Sequence, residues 1–336
     1  FLLKDYLSYM IKTLKIGNVE LKNQLILAPM AGYTDAAFRL ICKKFGASLT
    51  YTEMISSLGI YFKNEKTYSL LKTFPEEHPV TVQLFGSHPE KMAQAAKVVE
   101  DLGFDIIDIN MGCPAPKILK SNSGGALLKD LKLIENIITE TVNSVSIPVT
   151  IKIRIGYKED EFKAIDVAKI AESCGAKAIA VHGSTVMQKD KGSKNWNAIK
   201  KVKESVKIKV IANGGIKTPQ DIIKILDYTG ADAIMIGRAA LGRPWFFKDA
   251  LKLLSGESID LTKKTNVSLL FETLFEHIEL EKKIYDDYTA VRELRKHIPY
   301  YLKDLPESGR VKDNVNKAKS IKEVLLILHN YKNTFF

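Results

Sequence analysis

Eight short runs rich in β-branched residues recur along the chain, at Gln24–Ala28, Leu49–Thr52, Val80–Phe85, Asp105–Ile109, Val149–Ile153, Ala178–Val181, Ile208–Ala212 and Ala233–Ile236. Between them lie segments whose apolar residues fall at helical spacing, among them Pro89–Leu102, Leu131–Ser144, Ala164–Cys174, Trp196–Ser205 and Pro219–Thr229. Strand alternating with helix specifies a parallel sheet, because parallel neighbours need a crossover that carries the chain back to the same end. Eight such units in about 240 residues predict an α/β fold of the (β/α)8, or TIM-barrel, type. A doubly wound open sheet is the competing arrangement, but no Gly-x-Gly-x-x-Gly follows the first run.

From about residue 255 the strand pattern stops. Val267, Leu270, Phe271, Leu274 and Ile278 fall at helical spacing, and Ser320 with Glu323 reads as a capping box ahead of Val324–Leu328. The expected organisation is a catalytic barrel over residues 13–250 and an all-α C-terminal domain over residues 255–336.

Fifty basic residues against 39 acidic ones leave a formal charge of +11, which favours a polyanionic partner such as nucleic acid. The densest apolar stretch, Val324 to Leu328, is far too short for a bilayer span, so no membrane association is expected. The first residues lack the basic start, apolar centre and small-residue cleavage site of a secretory signal. Residues 1–9, ahead of Met10, read as a leader or a gene-start artefact. Cys42, Cys113 and Cys174 are too few and too widely spaced for a disulfide framework or a metal cluster, which points to the cytoplasm and to no metal.

In a barrel of this kind the chemistry stands at the C-terminal ends of the strands. In order, those ends carry Pro29-Met30-Ala31, Glu53, Gln83, Asn110 with Cys113, Lys152 with Arg154, His182, Asn213-Gly214-Gly215 and Gly237-Arg238. Cys113 sits between Gly112 and Pro114, so its sulfur is held on a stiff loop just past the fourth strand. Lys152 lies inside a strand between Ile151 and Ile153, where an ammonium needs an anionic partner. The glycine turns after the seventh and eighth strands stand where barrels commonly bind phosphate. Taken singly, Cys113 reads equally as a small buried filler, His182 as a structural histidine, and each glycine turn as an ordinary connection. Together, a phosphate anchor, an amide, a lysine and an imidazole around one mouth suit flavin mononucleotide (FMN).

These residues resemble the flavin-dependent tRNA-dihydrouridine synthases, in particular the bacterial DusB-like branch. The matching strings are Ala28-Pro29-Met30-Ala31-Gly32 with Thr34-Asp35, Tyr51-Thr52-Glu53-Met54, Gln83-Leu84-Phe85-Gly86, Asp108-Ile109-Asn110-Met111-Gly112-Cys113-Pro114, Lys152-Ile153-Arg154, Val181-His182-Gly183, Asn213-Gly214, and Ile236-Gly237-Arg238 with Pro244-Trp245. The resemblance runs from about Leu14 into the C-terminal helices. It implies an oxidoreductase of the CH–CH class, with FMN as cofactor and NADPH or NADH as reductant, that reduces the C5=C6 bond of uridine in tRNA. Hydride would come from flavin N5 to C6, and Cys113 would give a proton to C5. Pro29, Met30, Ala31, Gln83, Lys152, His182, Asn213, Gly214, Gly215, Gly237 and Arg238 are then the expected cofactor contacts.

Asn110 and Arg154 are expected on the uracil, and Arg295 and Lys296 on the RNA. The latter pair belongs to residues 291–322, which hold nine basic and four acidic side chains. Two positions depart from the family pattern: Ser184 stands where an arginine is usual, and Gly215 where an aspartate is usual. Two other readings stay open: an FMN enzyme acting on a free pyrimidine, and a tRNA-binding protein whose flavin site has lapsed. Which uridine is reduced, and any protein partner, are not legible.

Overall fold

The computed structural model describes residues 11–189, 191–259 and 266–335; residues 1–9 therefore lie outside the described part. Strands β1 (Leu14–Ile16) and β2 (Val19–Leu21) form an antiparallel hairpin that the run pattern did not announce. Eight parallel strands follow: β3 (Leu25–Leu27), β4 (Thr50–Ser56), β5 (Val80–Phe85), β6 (Ile106–Met111), β7 (Val149–Arg154), β8 (Ala178–His182), β9 (Lys209–Asn213) and β10 (Ala233–Ile236). Their order is β3-β10-β9-β8-β7-β6-β5-β4. The circle closes where Leu27 N–H donates to the Leu49 carbonyl at 2.9 Å and Ile26 bridges Leu49. The fold is thus the (β/α)8 barrel.

A two-residue period sorts the strand side chains onto two faces, because successive Cβ atoms point to opposite sides. Outward residues such as Leu25, Val82, Ile107, Ile109, Ile151, Ile153, Ile179, Val210 and Ile234 pack with the surrounding helices into one core. Those helices include Pro89–Asp101, Leu131–Ser144, Ala164–Ser173, Trp196–Ser205, Pro219–Thr229 and Phe246–Leu254. Inward residues Ile26, Leu49, Ile106, Ala178, Ile211 and Ala233 form a separate cluster with Leu14, Ile16 and Leu21 of the hairpin. Moving up the strands, the inward positions change from apolar to polar: Gln83, Asp108, Asn110, Thr150, Lys152, Arg154, His182 and Asn213. That change of character builds the site.

Helices Val267–Ile284, Asp287–Tyr301, Ser308–Lys317 and Ile321–Lys332 enclose their own core around Phe271, Leu274, Ile278, Leu294, Ile298 and Leu328. Of the expected capping box only half is built. Ser320 Oγ accepts from Glu323 N–H at 3.2 Å, while the Glu323 carboxylate takes the N–H of Lys319 rather than that of Ser320. The helical layer rests on barrel helix Ala36–Lys44, where Ala37, Leu40 and Ile41 pack on Leu280. Under that helix a buried Arg39–Glu77 pair makes two parallel bonds of 2.8 and 2.9 Å. Arg39 also donates to the carbonyls of Thr34 and Lys72, so nearly the whole fork is satisfied.

Candidate active site

A cavity of about 400 Å³ opens at the C-terminal ends of the barrel strands. Its lining includes Pro29, Met30 and Ala31 after β3, Gln83 on β5, Asn110 on β6, Lys152 and Arg154 on β7, His182 on β8, Asn213-Gly214-Gly215 after β9, and Gly237-Arg238 after β10. Cys113 stands on the same wall. Residues spread over more than two hundred positions converge here because parallel strands all end on one side.

The thiol loop is held by side chains one layer down. Asn110 Oδ1 accepts from the backbone N–H groups of Gly112 at 3.1 Å and Cys113 at 2.9 Å, fixing the turn that carries the sulfur. Its amide donates to Gln83 Oε1 at 2.8 Å, and Gln83 donates to Asp108 Oδ2 at 2.7 Å. Asp108 also accepts from Thr150 Oγ1 at 2.7 Å. Arg154 reaches across from β7, with Nε on the Gly112 carbonyl at 2.9 Å and Nη1 on the Thr185 carbonyl at 3.1 Å. Asn110 and Arg154 therefore brace the cysteine loop as well as facing the cavity. Burial pushes the Cys113 thiol above the ordinary thiol range, against the pull of Arg154 and Lys152, so the sulfur keeps its proton at neutral pH.

Cations also gather around the imidazole of the cavity. Burial, and then Lys152, Arg154, Lys194 and Arg238, hold His182 well below the usual imidazole range, so it is neutral. Gly214 and Gly215 both take positive φ, +102° and +86°. A Cβ at Gly214 would stand 2.8 Å from His182 Cδ2, so only glycine allows the turn and the imidazole to share this space.

The dihydrouridine synthase family model matches residues 26–335. A "tRNA-dihydrouridine synthase B" of Xanthomonas axonopodis pv. citri is 39% identical over 318 residues, 95% of either chain. One from Vibrio parahaemolyticus is 41% identical over 304 residues, 90% of this chain and 94% of that one. The chain belongs to the dihydrouridine synthase family. Among solved structures, histamine dehydrogenase from Rhizobium sp. 4-9 superposes with a TM-score of 0.59 at 13% identity, over 82% of this chain and 51% of that one. A 6-hydroxypseudooxynicotine amine oxidase from Pseudomonas geniculata N1 gives the same score and identity over 75% and 50%. This chain thus spans about half of those proteins, and the likeness is one of fold.

Of the two departures from the pattern of dihydrouridine synthases, Ser184 is buried, and its N–H donates to the His182 carbonyl at 2.7 Å. Lys194 stands by the glycine turn, its Cγ 3.4 Å and 3.3 Å from where side chains on Gly214 and Gly215 would begin. Gly215 leaves the turn room beside the Trp196 indole, 3.2 Å from the same imagined Cβ.

Neither of the two residues expected on the RNA lines the cavity. Arg295 is not on the cavity wall: its Nη2 donates to the Ala318 carbonyl at 2.7 Å, closing the end of helix Ser308–Lys317. Lys296 pairs with Glu293 and lies over Gly32, at the rim. Sequence reasoning missed Tyr33, Met54, Ile216, Leu241 and Tyr300, all of which line the cavity. Tyr300 comes from helix Asp287–Tyr301 and approaches Tyr33 hydroxyl to hydroxyl at 3.4 Å. Asp108 was legible, since it shares the inward parity of Asn110 two residues on.

Proposed function

We infer that the protein reduces uridine in tRNA to 5,6-dihydrouridine, with FMN in the barrel cavity and a reduced nicotinamide as electron source. The observation that carries the reading is the Cys113 thiol, held on a braced loop over a cavity with a glycine turn and four cations, in a chain about 40% identical to tRNA-dihydrouridine synthases B. The residues present suit FMN. The Asn213-Gly214-Gly215 turn offers N–H groups and close approach to a phosphate, with Lys194 and Arg238 alongside. Lys152 brings positive charge to the mouth, where an electron-rich ring gains from it. Bound FMN supplies the hydride.

The protein's own part is then to bind, orient and protonate. Cys113 Sγ–H gives its proton to the carbon of the uracil C5=C6 bond that does not receive hydride. Asn110 keeps that sulfur in place through two backbone N–H groups, and Arg154 ties the same loop to Thr185 across the mouth. A uridine buried in folded tRNA must leave its stack to reach this depth. Tyr33 and Tyr300 offer aromatic surface on the way in.

The test supplies the purified full chain with FMN, NADPH or NADH, and either unmodified tRNA or free uracil, and assays dihydrouridine by mass spectrometry. Product on tRNA and none on free uracil is the expected result. Turnover of free uracil with tRNA untouched would mean a free-pyrimidine reductase. A colourless protein that binds tRNA without changing it would mean that the flavin site has lapsed.

A further inference from the structure

A second group of ionisable side chains meets where the helical layer rests on the barrel, away from the cavity. Asp35 caps helix Ala36–Lys44, His277 and Glu281 stand one turn apart on helix Val267–Ile284, and His297 comes from helix Asp287–Tyr301. Side-chain exposure is 1% for Asp35 and 0% for the other three. One ligand-capable atom of each of Asp35, His277 and His297 lies within 4.8 Å of the others.

The spacings are informative. His297 Nε2 stands 3.3 Å from Asp35 Oδ2, and His277 Nε2 stands 3.5 Å from Glu281 Oε1. Charge-assisted N–H···O bonds are shorter, about 2.7–2.9 Å. Ligands bound to one ion at about 2.0–2.1 Å in a tetrahedron are roughly 3.3–3.4 Å apart. Among the described residues, His277 Nε2 is buried and lacks a hydrogen-bond partner. Buried groups of this kind are normally satisfied. Burial and the neighbouring Asp35 favour a protonated Glu281, whose hydroxyl can donate to the Asp35 carboxylate.

We propose that Asp35, His277 and His297 form a structural site for one divalent first-row transition-metal ion, Zn²⁺ by the chemistry of its donors, with Glu281 beside it. Two imidazoles and one carboxylate are donors that zinc takes, and the Asp35 charge offsets part of the ion's own at a buried site. Asp35 Oδ1 already accepts from the Phe38 N–H at 2.9 Å, which leaves Oδ2 for the metal. His277 Nδ1 faces the Tyr301 hydroxyl at 3.3 Å, a partner that fixes the ring with Nε2 inward. The ion would pin two C-terminal helices to the loop after β3. His297 also packs edge-on against Tyr33, with ring centroids 5.7 Å apart, so the pin supports the cavity rim where Tyr33 meets Tyr300.

The test uses the full chain without a histidine tag, stripped with chelator, reloaded with zinc sulfate and freed of excess. Elemental analysis should find roughly one zinc per chain, with an unfolding temperature that rises on loading and falls back with chelator. Zinc-edge X-ray absorption on the unmutated protein should show only nitrogen and oxygen ligands at about 2.0–2.1 Å, and no sulfur at about 2.3 Å. His277→Gln with His297→Gln should lose the zinc, while Cys113→Ala keeps it. Zinc far below one equivalent, a sulfur shell, or zinc retained by the double variant would each overturn the site and leave the cluster as a buried proton-sharing network.

Discussion

Cys113 combines two properties that a general acid needs, a defined position and a proton to give. Burial raises its thiol pKa, so the protonated form persists through neutral pH and is lost only as pH rises past the ordinary thiol range. Reduction of bound substrate by pre-reduced enzyme should therefore be flat through neutral pH and decline on the alkaline side; stopped-flow traces against pH check this, and a rate that climbs with pH there would assign the sulfur another role. Gly214 makes a separate claim. Its positive φ and the 2.8 Å approach to His182 mean that Gly214→Ala strains the turn by about 1–3 kcal/mol and displaces the imidazole. Flavin affinity, read by fluorescence titration, should drop while the far-ultraviolet circular dichroism stays that of the parent. Undiminished affinity would remove the turn from the flavin site.

Strand β6 shows how far the elements were written in the sequence. Its inward residues Ile106, Asp108 and Asn110 pass from core to hydrogen-bonded layer to site, a gradient carried by parity alone. All eight barrel strands and the converging strand ends were legible for that reason, since period and polarity are local. The hairpin β1–β2 was not, because three-residue strands leave too few positions to show a period. The role of Arg295 was not legible either: its partner is the Ala318 carbonyl, and backbone carbonyls carry no sequence signature. Asp108 supplies a prediction at this scale. Burial lifts its carboxyl to about 6, so the folded chain holds a proton that the unfolded chain gives up at lower pH, and ionisation weighs against the fold. Asn at 108 can accept from Gln83 and donate to Thr150 without a charge. The stability of Asp108→Asn relative to the parent should therefore increase as pH rises from about 4, where an ordinary aspartate titrates, and level off above about 6 at a gain of about 3 kcal/mol. Urea melts across that range measure it, and a gap that stays constant with pH would show that Lys152 and the hydrogen bonds offset the buried charge in full.

At the level of the whole molecule, the helical layer is bound into the barrel: removing it would bare Ala37, Leu40 and Ile41. Truncation near residue 250 should give an aggregating barrel, so RNA contact is better probed by charge. Arg292, Arg310 and Lys317 are exposed, whereas Arg295 is engaged within the layer. Replacing those three with serine should flatten the salt dependence of tRNA binding by about 0.7–0.9 log units for each phosphate no longer neutralised, while Arg295→Ala should chiefly lower the unfolding temperature. An unchanged slope would place the RNA against the barrel lysines instead. The central claim, that Cys113 protonates a tRNA uridine at the flavin cavity, is tested most directly by one anaerobic mixing experiment. Protein reduced with NADPH is mixed with unmodified tRNA, and flavin reoxidation is followed together with dihydrouridine formed. The parent should reoxidise with one dihydrouridine per flavin, and Cys113→Ala should take up flavin and NADPH electrons normally yet form product about 10²–10⁴-fold more slowly. Parent-like product formation by Cys113→Ala would contradict the account.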